Sequence, residues 1–329
     1  MILQSLFEKV GNTPLFPLKL AGFGNLDLLV KFEANNPTGS VKDRAAAYIL
    51  RELLNRGEID AGTTIMESTS GNFGVSLSAF CKYHGLRFIA VIDPNITPMN
   101  EMLIRAYGAE TIKVMQPDQH GGYLLSRIEK IKELKNKIKN SYWVNQYANP
   151  LNAEAYYQSL GGEICSQVDV LDHVFLGVSS GGTITGVSRK IREKFPAAKV
   201  VAVDVEGSVI FDRPAKKRFI PGIGSSMKPR ILEAAFIDDV VITDEVESIK
   251  ACYQLLEEHS CFVGGSSGTV LAGIKKFFTD KPLKEKTTVV TVFPDRGERY
   301  YDTIYNKAWC EALLRPKNEE KPRWAISPL

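Results

Sequence analysis

A chain of 329 residues, 44% hydrophobic and 24% charged, is long enough to bury a large core or to form two domains. Its formal net charge of +3, with no run near the ~18 apolar residues of a membrane span, argues against a nucleic-acid or membrane surface. Cys81, Cys165, Cys252, Cys261 and Cys310 are scattered, with no Cys-x-x-Cys spacing, as expected of isolated thiols in a reducing compartment.

The N-terminal "MILQSLFEKVGNTPLF" has charges inside its apolar stretch and no small-residue cleavage site, so no signal peptide is expected and a cytoplasmic location is. Period-two and β-rich runs predict strands at 26–33, 63–68, 86–93 and 109–115. Amphipathic stretches at 42–57, 74–85 and 98–109 predict the helices between them. A second set follows: helix 152–167, strand 173–178, helix 183–195, strand 199–205 and strand 287–293. This alternation predicts an α/β chain of parallel sheets covered by helices. The lysine-rich "KIKELKNKIKN" (130–140) keeps apolar residues at helical spacing and reads as a solvated helix face. Segment 206–237 loses the rhythm; it is either an inter-domain crossing or an ordered loop over a cleft.

Four glycine-bearing segments stand where a predicted strand hands over to a helix: 36–44, 67–74, 178–186 and 263–269. In open α/β folds such junctions line the ligand crevice. "SSGGT" (179–183) offers backbone N–H groups, hydroxyls and a helix N-terminus, a phosphate cup without the Gly-Lys-[Ser/Thr] of a P-loop. A Ser-capped helix with glycine packing would look the same. In "NPTGSVKDR" (36–44), Lys42 follows a Gly-Ser turn that would fix its amine in a cleft; a helix-start lysine paired with Asp43 is the plainer alternative. "TSGN" (69–72) is either an N-cap with an Asn turn or a row of donors for a carboxylate. Together, a reactive lysine, a phosphate cup without metal ligands and a carboxylate loop suggest pyridoxal 5'-phosphate acting on an amino acid.

On these motifs the chain resembles the fold type II pyridoxal-phosphate enzymes, the family of cysteine synthase and cystathionine β-synthase. The likeness runs from "GNTPL" near residue 11 to "PDRGERY" near residue 300. It implies a two-domain fold like the tryptophan synthase β subunit, with the cofactor in the inter-domain cleft. Residues 1–39 and 149–329 would form the larger domain, and 40–148 a smaller, mobile one. Lys42 would be the Schiff-base and catalytic residue. Asn72 would reach the cofactor's 3' oxygen, Ser179, Ser180, Gly181, Gly182 and Thr183 its phosphate, and Ser266 its pyridine nitrogen. Thr69, Ser70, Gly71 and Gln146 would hold the substrate carboxylate. A serine at the ring nitrogen favours β-elimination and replacement over transamination. No metal is implied, and a homodimer is.

"NQYAN", "GSVIF", "PGIGSS" and "DQHGGYL" resemble a branch that joins O-phospho-L-serine to L-glutamate and releases phosphate, a step toward 2,3-diaminopropionate for siderophore biosynthesis. A departing phosphate needs a cation and hydroxyl donors, for which Arg127, Tyr147 and Ser179 are the candidates. Arg127 could instead be an exposed partner of Glu129, Glu133 or another nearby acid. The chain departs from common family patterns at Ser179-Ser180 and at Phe73, which bear on substrate fit. Two alternatives remain: the same chemistry with sulfide or another thiol as acceptor and O-phosphoserine or O-acetylserine as donor, and a non-catalytic binding module, which would be expected to lose Lys42, Asn72 or Ser266.

Overall fold

The alternating segments fold as two sheets in the computed structural model, which describes residues 5–118 and 122–314. The "DQHGGYL" signature therefore falls partly outside the described residues, as does the extreme N-terminus.

The smaller sheet is built from β3 (Thr64–Ser68), β4 (Arg87–Ile92), β5 (Glu110–Lys113) and β6 (Ser141–Trp143), in the order β5-β4-β3-β6 and parallel throughout. Helices α1 (Lys42–Asn55), α2 (Asn72–Tyr83), α3 (Pro98–Ala106) and α4 (Leu124–Lys137) accompany it. Strand β3 is buried along its whole length, which is why its run is not a clean alternation.

The larger sheet joins β1 (Leu15–Leu18), β2 (Leu26–Phe32), β7 (His173–Gly177), β8 (Lys199–Val205), β9 (Asp239–Thr243) and β10 (Thr287–Phe293), in the order β1-β2-β10-β7-β8-β9. Only β1 runs antiparallel to its neighbour. Its helices are α5 (Pro150–Tyr156), α6 (Gly162–Gln167), α7 (Gly182–Lys194), α8 (Glu245–His259), α9 (Gly265–Asp280) and α10 (Lys307–Leu314).

One apolar core is continuous between the halves. Ile49, Leu50 and Leu53 of α1 and Phe80 of α2 join Tyr156, Ile164, Ile184 and Val174 in a single buried cluster. Each such aliphatic side chain contributes about 1.5–3 kcal/mol by burial.

The predicted helix 152–167 is interrupted by a π-helical turn at Tyr157–Gly161. Segment 206–237 is an ordered loop over the cleft. Apart from a 3-10 turn at Arg230–Ala234 it lacks regular structure, but backbone bonds pin it: Gly224 N to Val178 O at 2.8 Å, and Ile231 N to Tyr147 O at 3.2 Å. The expectation that a strand precedes 263–269 is corrected. Val263 makes only an isolated bridge with Arg296, and the chain enters α9 from helix α8. Strands β1, β6 and β9 and helices α8 and α10 were not predicted.

All five cysteines are free, and all but Cys261 are buried. Among the described residues no helix is long and apolar enough to cross a membrane, and no cluster of His, Cys, Asp or Glu could hold a metal ion.

Candidate active site

The carboxyl ends of β2, β3, β6, β7 and β10 face the cleft between the sheets, and each delivers a loop to it. The 36–41 turn delivers Lys42. Gly39 N bonds Asn36 O at 2.8 Å, and Val41 N bonds Pro294 O at 2.8 Å, so the turn is fastened to the end of β10. Asp43 does not pair with Lys42, correcting the plainer reading of that lysine. Its buried carboxylate accepts from Thr38 N (2.6 Å), Thr38 Oγ1 (2.5 Å) and Ser76 Oγ (2.6 Å), locking the turn.

Burial lowers the pKa of the Lys42 amine to about 8, with the Asp295 carboxyl acting in the opposite sense. Asp295 is buried, and burial raises its own pKa. Its Oδ2 accepts from Asn72 Nδ2 at 2.5 Å and from Tyr300 OH at 2.6 Å, whereas Oδ1 has no hydrogen-bond partner. Arg299 donates to Asn72 Oδ1 and to the Thr38 carbonyl, so Asn72 and the lysine turn share one clamp.

Ser179 and Ser180 lead into Gly181, whose φ of +86° supplies the left-handed cap before α7. The N–H groups of the first turn of this 13-residue helix have no intrahelical acceptor and face the cup. Thr183 interacts with the buried phenol of Tyr156, which reaches Val41 O at 3.3 Å, next to Lys42. Ser179 Oγ is turned aside and donates to Gly224 O at 3.1 Å. Ser266 is buried in the first turn of α9, whose N-cap residue Gly264 bonds Asp295 O through its N–H at 3.3 Å. An amine, an anion cup, a buried hydroxyl and an orphaned carboxyl oxygen therefore converge, and this donor set fits pyridoxal phosphate.

The 69–71 loop lies between β3 and α2. Thr69 N is already bonded to Val91 O at 3.0 Å. Ser70 Oγ donates to Asp93 Oδ2 at 2.7 Å and accepts from Arg127 Nη1 at 2.8 Å. Arg127 is not the exposed partner of Glu129 or Glu133: its side chain is 11% exposed, with Nε 3.3 Å from Asp93 Oδ2. Gln146 is buried and donates to Ser68 O at 3.3 Å. The Tyr147 phenol has its pKa raised by burial and lies within the field of Arg127, which opposes that rise.

Sequence reasoning missed Asp295, Arg299 and Tyr300, although they lie in the quoted "PDRGERY"; their position just after β10 was the available signal. It also missed Glu67, buried at the end of β3, with Oε1 accepting from Ser68 N at 3.0 Å and Oε2 unpartnered. Burial raises the Glu67 pKa to about 8, against the opposing influence of polar groups of Gln146, Ser68 and Asn145.

Residues 6–295 match the family model described as pyridoxal-phosphate dependent enzyme. The chain is 42% identical over 316 residues, 95% of its length and 93% of the relative's, to the N-(2-amino-2-carboxyethyl)-L-glutamate synthase of Cupriavidus metallidurans. The crystal structure of the O-acetylserine dependent cystathionine β-synthase from Helicobacter pylori superposes with a TM-score of 0.86 at 32% identity, covering 93% of this chain and all of that one. That of an O-ureido-L-serine synthase gives 0.84 at 30% identity, covering 92% and 95%. The chain belongs to the pyridoxal-phosphate dependent enzymes, has the fold of their cystathionine β-synthase-like members, and takes pyridoxal 5'-phosphate as its cofactor.

Proposed function

We propose that this enzyme catalyses β-replacement between O-phospho-L-serine and L-glutamate, giving N-(2-amino-2-carboxyethyl)-L-glutamate and phosphate, a step toward 2,3-diaminopropionate in siderophore biosynthesis. The observation that carries this reading is the Arg127 guanidinium, shielded from solvent, on Ser70 and beside Tyr147. It sets a cation and hydroxyl groups next to the loop assigned to the substrate carboxylate, where an anionic leaving group is best stabilised. The relative from Cupriavidus metallidurans, named for that product, supports the same reading.

When bound, the cofactor supplies the electron sink that makes the α-proton of the amino acid removable. Lys42 would hold it covalently, and its free amine would take that α-proton. Its lowered pKa suits a base at neutral pH. The Cβ–O bond to phosphate would break, the neutral amine of glutamate would form the Cβ–N bond and give up its surplus proton to the departing phosphate, and Lys42 would return the α-proton. Asn72, the 179–183 cup and Ser266 orient the ring and its phosphate. Thr69, Ser70, Gly71 and Gln146 hold the donor's carboxylate, and Arg127, Tyr147 and Ser179 surround its phosphate. Ser179, at the cup's first position, would be shared between the two anions only after its hydroxyl leaves Gly224 O. Domain 40–148 tilts toward the larger one, 1–39 with 149–329, to exclude water during the exchange. The protein works in the cytoplasm as a homodimer.

The test mixes cofactor-loaded protein with O-phospho-L-serine, measures phosphate release, then adds L-glutamate or sulfide and identifies products by mass. A carbon–nitrogen-linked product from glutamate supports the reading. Product from sulfide alone makes the protein a cysteine synthase, and no phosphate release removes the donor.

A further inference from the structure

Arg218, in the loop over the cleft, has no part in the scheme above. It is mostly shielded from water, and burial lowers its pKa. Among the described residues no carboxylate comes within ion-pair distance of it; its guanidinium donates only to Ile223 O at 3.3 Å and Ser226 Oγ at 3.0 Å. Two neutral acceptors leave most of the donor fork unused. Asp204 and Glu245 act on it from farther away, and burial raises the pKa of both. Glu245 is engaged elsewhere, accepting from Phe219 N and Ile220 N at 2.6 and 2.7 Å. Arg127, by contrast, already has Asp93 beside it. A shielded cation without a close counter-ion is costly unless a ligand brings one.

The position is equally specific. Arg218 Nη1 packs against Gly224, where a side chain at 224 would displace it. Gly224 O accepts from Ser179 Oγ, which places Arg218 at the rim of the cup. Tyr147 lies within the fields of both Arg127 and Arg218. The Ser226 hydroxyl that Arg218 donates to approaches Gly122 of the smaller half, so this cation sits where the two halves meet.

We infer that Arg218, with Ser226, is the receptor for a carboxylate of the incoming nucleophile, which makes the acceptor an anionic amino acid and not a small thiol. The assignment rests on the β-replacement reading above and adds the residue that selects the second substrate. A guanidinium presents the planar fork that a carboxylate accepts bidentately.

Cofactor-loaded wild-type, Arg218→Gln, Arg218→Lys and Ser226→Ala proteins are compared in three assays: single-turnover phosphate release from O-phospho-L-serine, steady-state turnover with L-glutamate, and turnover with sulfide. Arg218→Gln is expected to lower kcat/KM for glutamate by roughly ten- to a hundred-fold, the range for a charge-assisted hydrogen bond. Phosphate release and sulfide use should remain within a few-fold of wild type. Arg218→Lys should recover part of the loss, and Ser226→Ala should show a smaller loss of the same kind. These two keep the test decisive if the glutamine variant does not fold. An equal loss of phosphate release would place Arg218 on the donor's phosphate, and an unchanged glutamate constant would remove it from the acceptor site. Either result overturns the assignment. Wild-type protein that releases phosphate but transfers only to sulfide overturns it too, leaving the donor reading intact. Wild-type protein that releases no phosphate instead overturns the proposed function itself.

Discussion

Asn72 and Asp295 meet across the cleft, Nδ2 donating to Oδ2 at 2.5 Å, and the same carboxyl acts on the Lys42 amine. Asp295 thus couples the residue assigned to the cofactor ring with the residue assigned to proton transfer. Its influence raises the Lys42 pKa while burial lowers it to about 8. Asp295→Asn should therefore move the Lys42 titration to lower pH. The measurement is the pH dependence of Lys42 modification by an amine reagent in cofactor-free protein, followed by peptide mass. A midpoint that does not fall would mean that Asp295 carries no charge beside the amine.

Borohydride treatment of the cofactor-loaded protein should fix the cofactor on the peptide carrying Lys42. Lys42→Ala should leave no labelled peptide and lower turnover by about three orders of magnitude, the middle of the range for a positioned acid–base group. Labelling at another lysine would displace Lys42 from its role.

Glu67 gives a stability prediction with a definite sign. Its pKa is raised from 4.5 to about 8, so the unfolded chain ionises it well before the folded one does. Its contribution is fully present below pH 4.5 and is lost as pH rises toward 8. Glu67→Gln should be stabilising relative to wild type across that window, by up to about 1.4 kcal/mol per pH unit. Urea denaturation of the apo-protein at pH 5 and pH 8 measures it; a gain independent of pH would mean that the carboxyl is ionised in the fold.

The buried cluster around Arg44 makes the opposite case. Arg44 Nε lies 2.7 Å from Glu33 Oε2, its Nη1 2.6 Å from Glu163 Oε1, and Lys31 Nζ 2.8 Å from Glu163 Oε2. Arg44→Ala strands the buried Glu33 carboxylate and leaves the partly buried Glu163 with Lys31 alone, and should cost about 3–5 kcal/mol. Arg44 and Lys31 hold the Glu163 pKa at about 2 against burial. The stability that Glu163 contributes is present above its unfolded value of 4.5 and is lost as pH falls toward 2. Glu163→Gln should flatten the acid limb of a stability-versus-pH curve; an unaltered limb would place the acid sensitivity elsewhere.

The strand–helix alternation was legible because each parallel strand and its covering helix carry their own periodicity. The helix at 42–55 and the strands at 199–205 and 287–293 lie where that periodicity places them. The short strands β1 and β6 were not, since three or four partly buried residues have too little pattern to separate from a loop. The glycine loops could be read because a helix N-terminus and a tight turn impose residue types locally. Their polar supports could not. Asp295 and Asn72 are 223 residues apart, and Arg44 and Glu163 are 119. Nothing in either neighbourhood shows that the two will share a buried contact. The exposed reading of Arg127 failed for the same reason: Asp93, not an acid on its own helix, is its partner.

Helix α1 starts at the reactive amine, yet its third residue is moored by Glu33 and Glu163, both outside 40–148. If 40–148 tilts as proposed, this mooring puts the hinge at the start of α1, so that Lys42 should behave as a fixed post and the 69–71 loop as the gate that moves past it. Substrate would be carried to a stationary base, so opening and closing should change what the amine meets without resetting its aim.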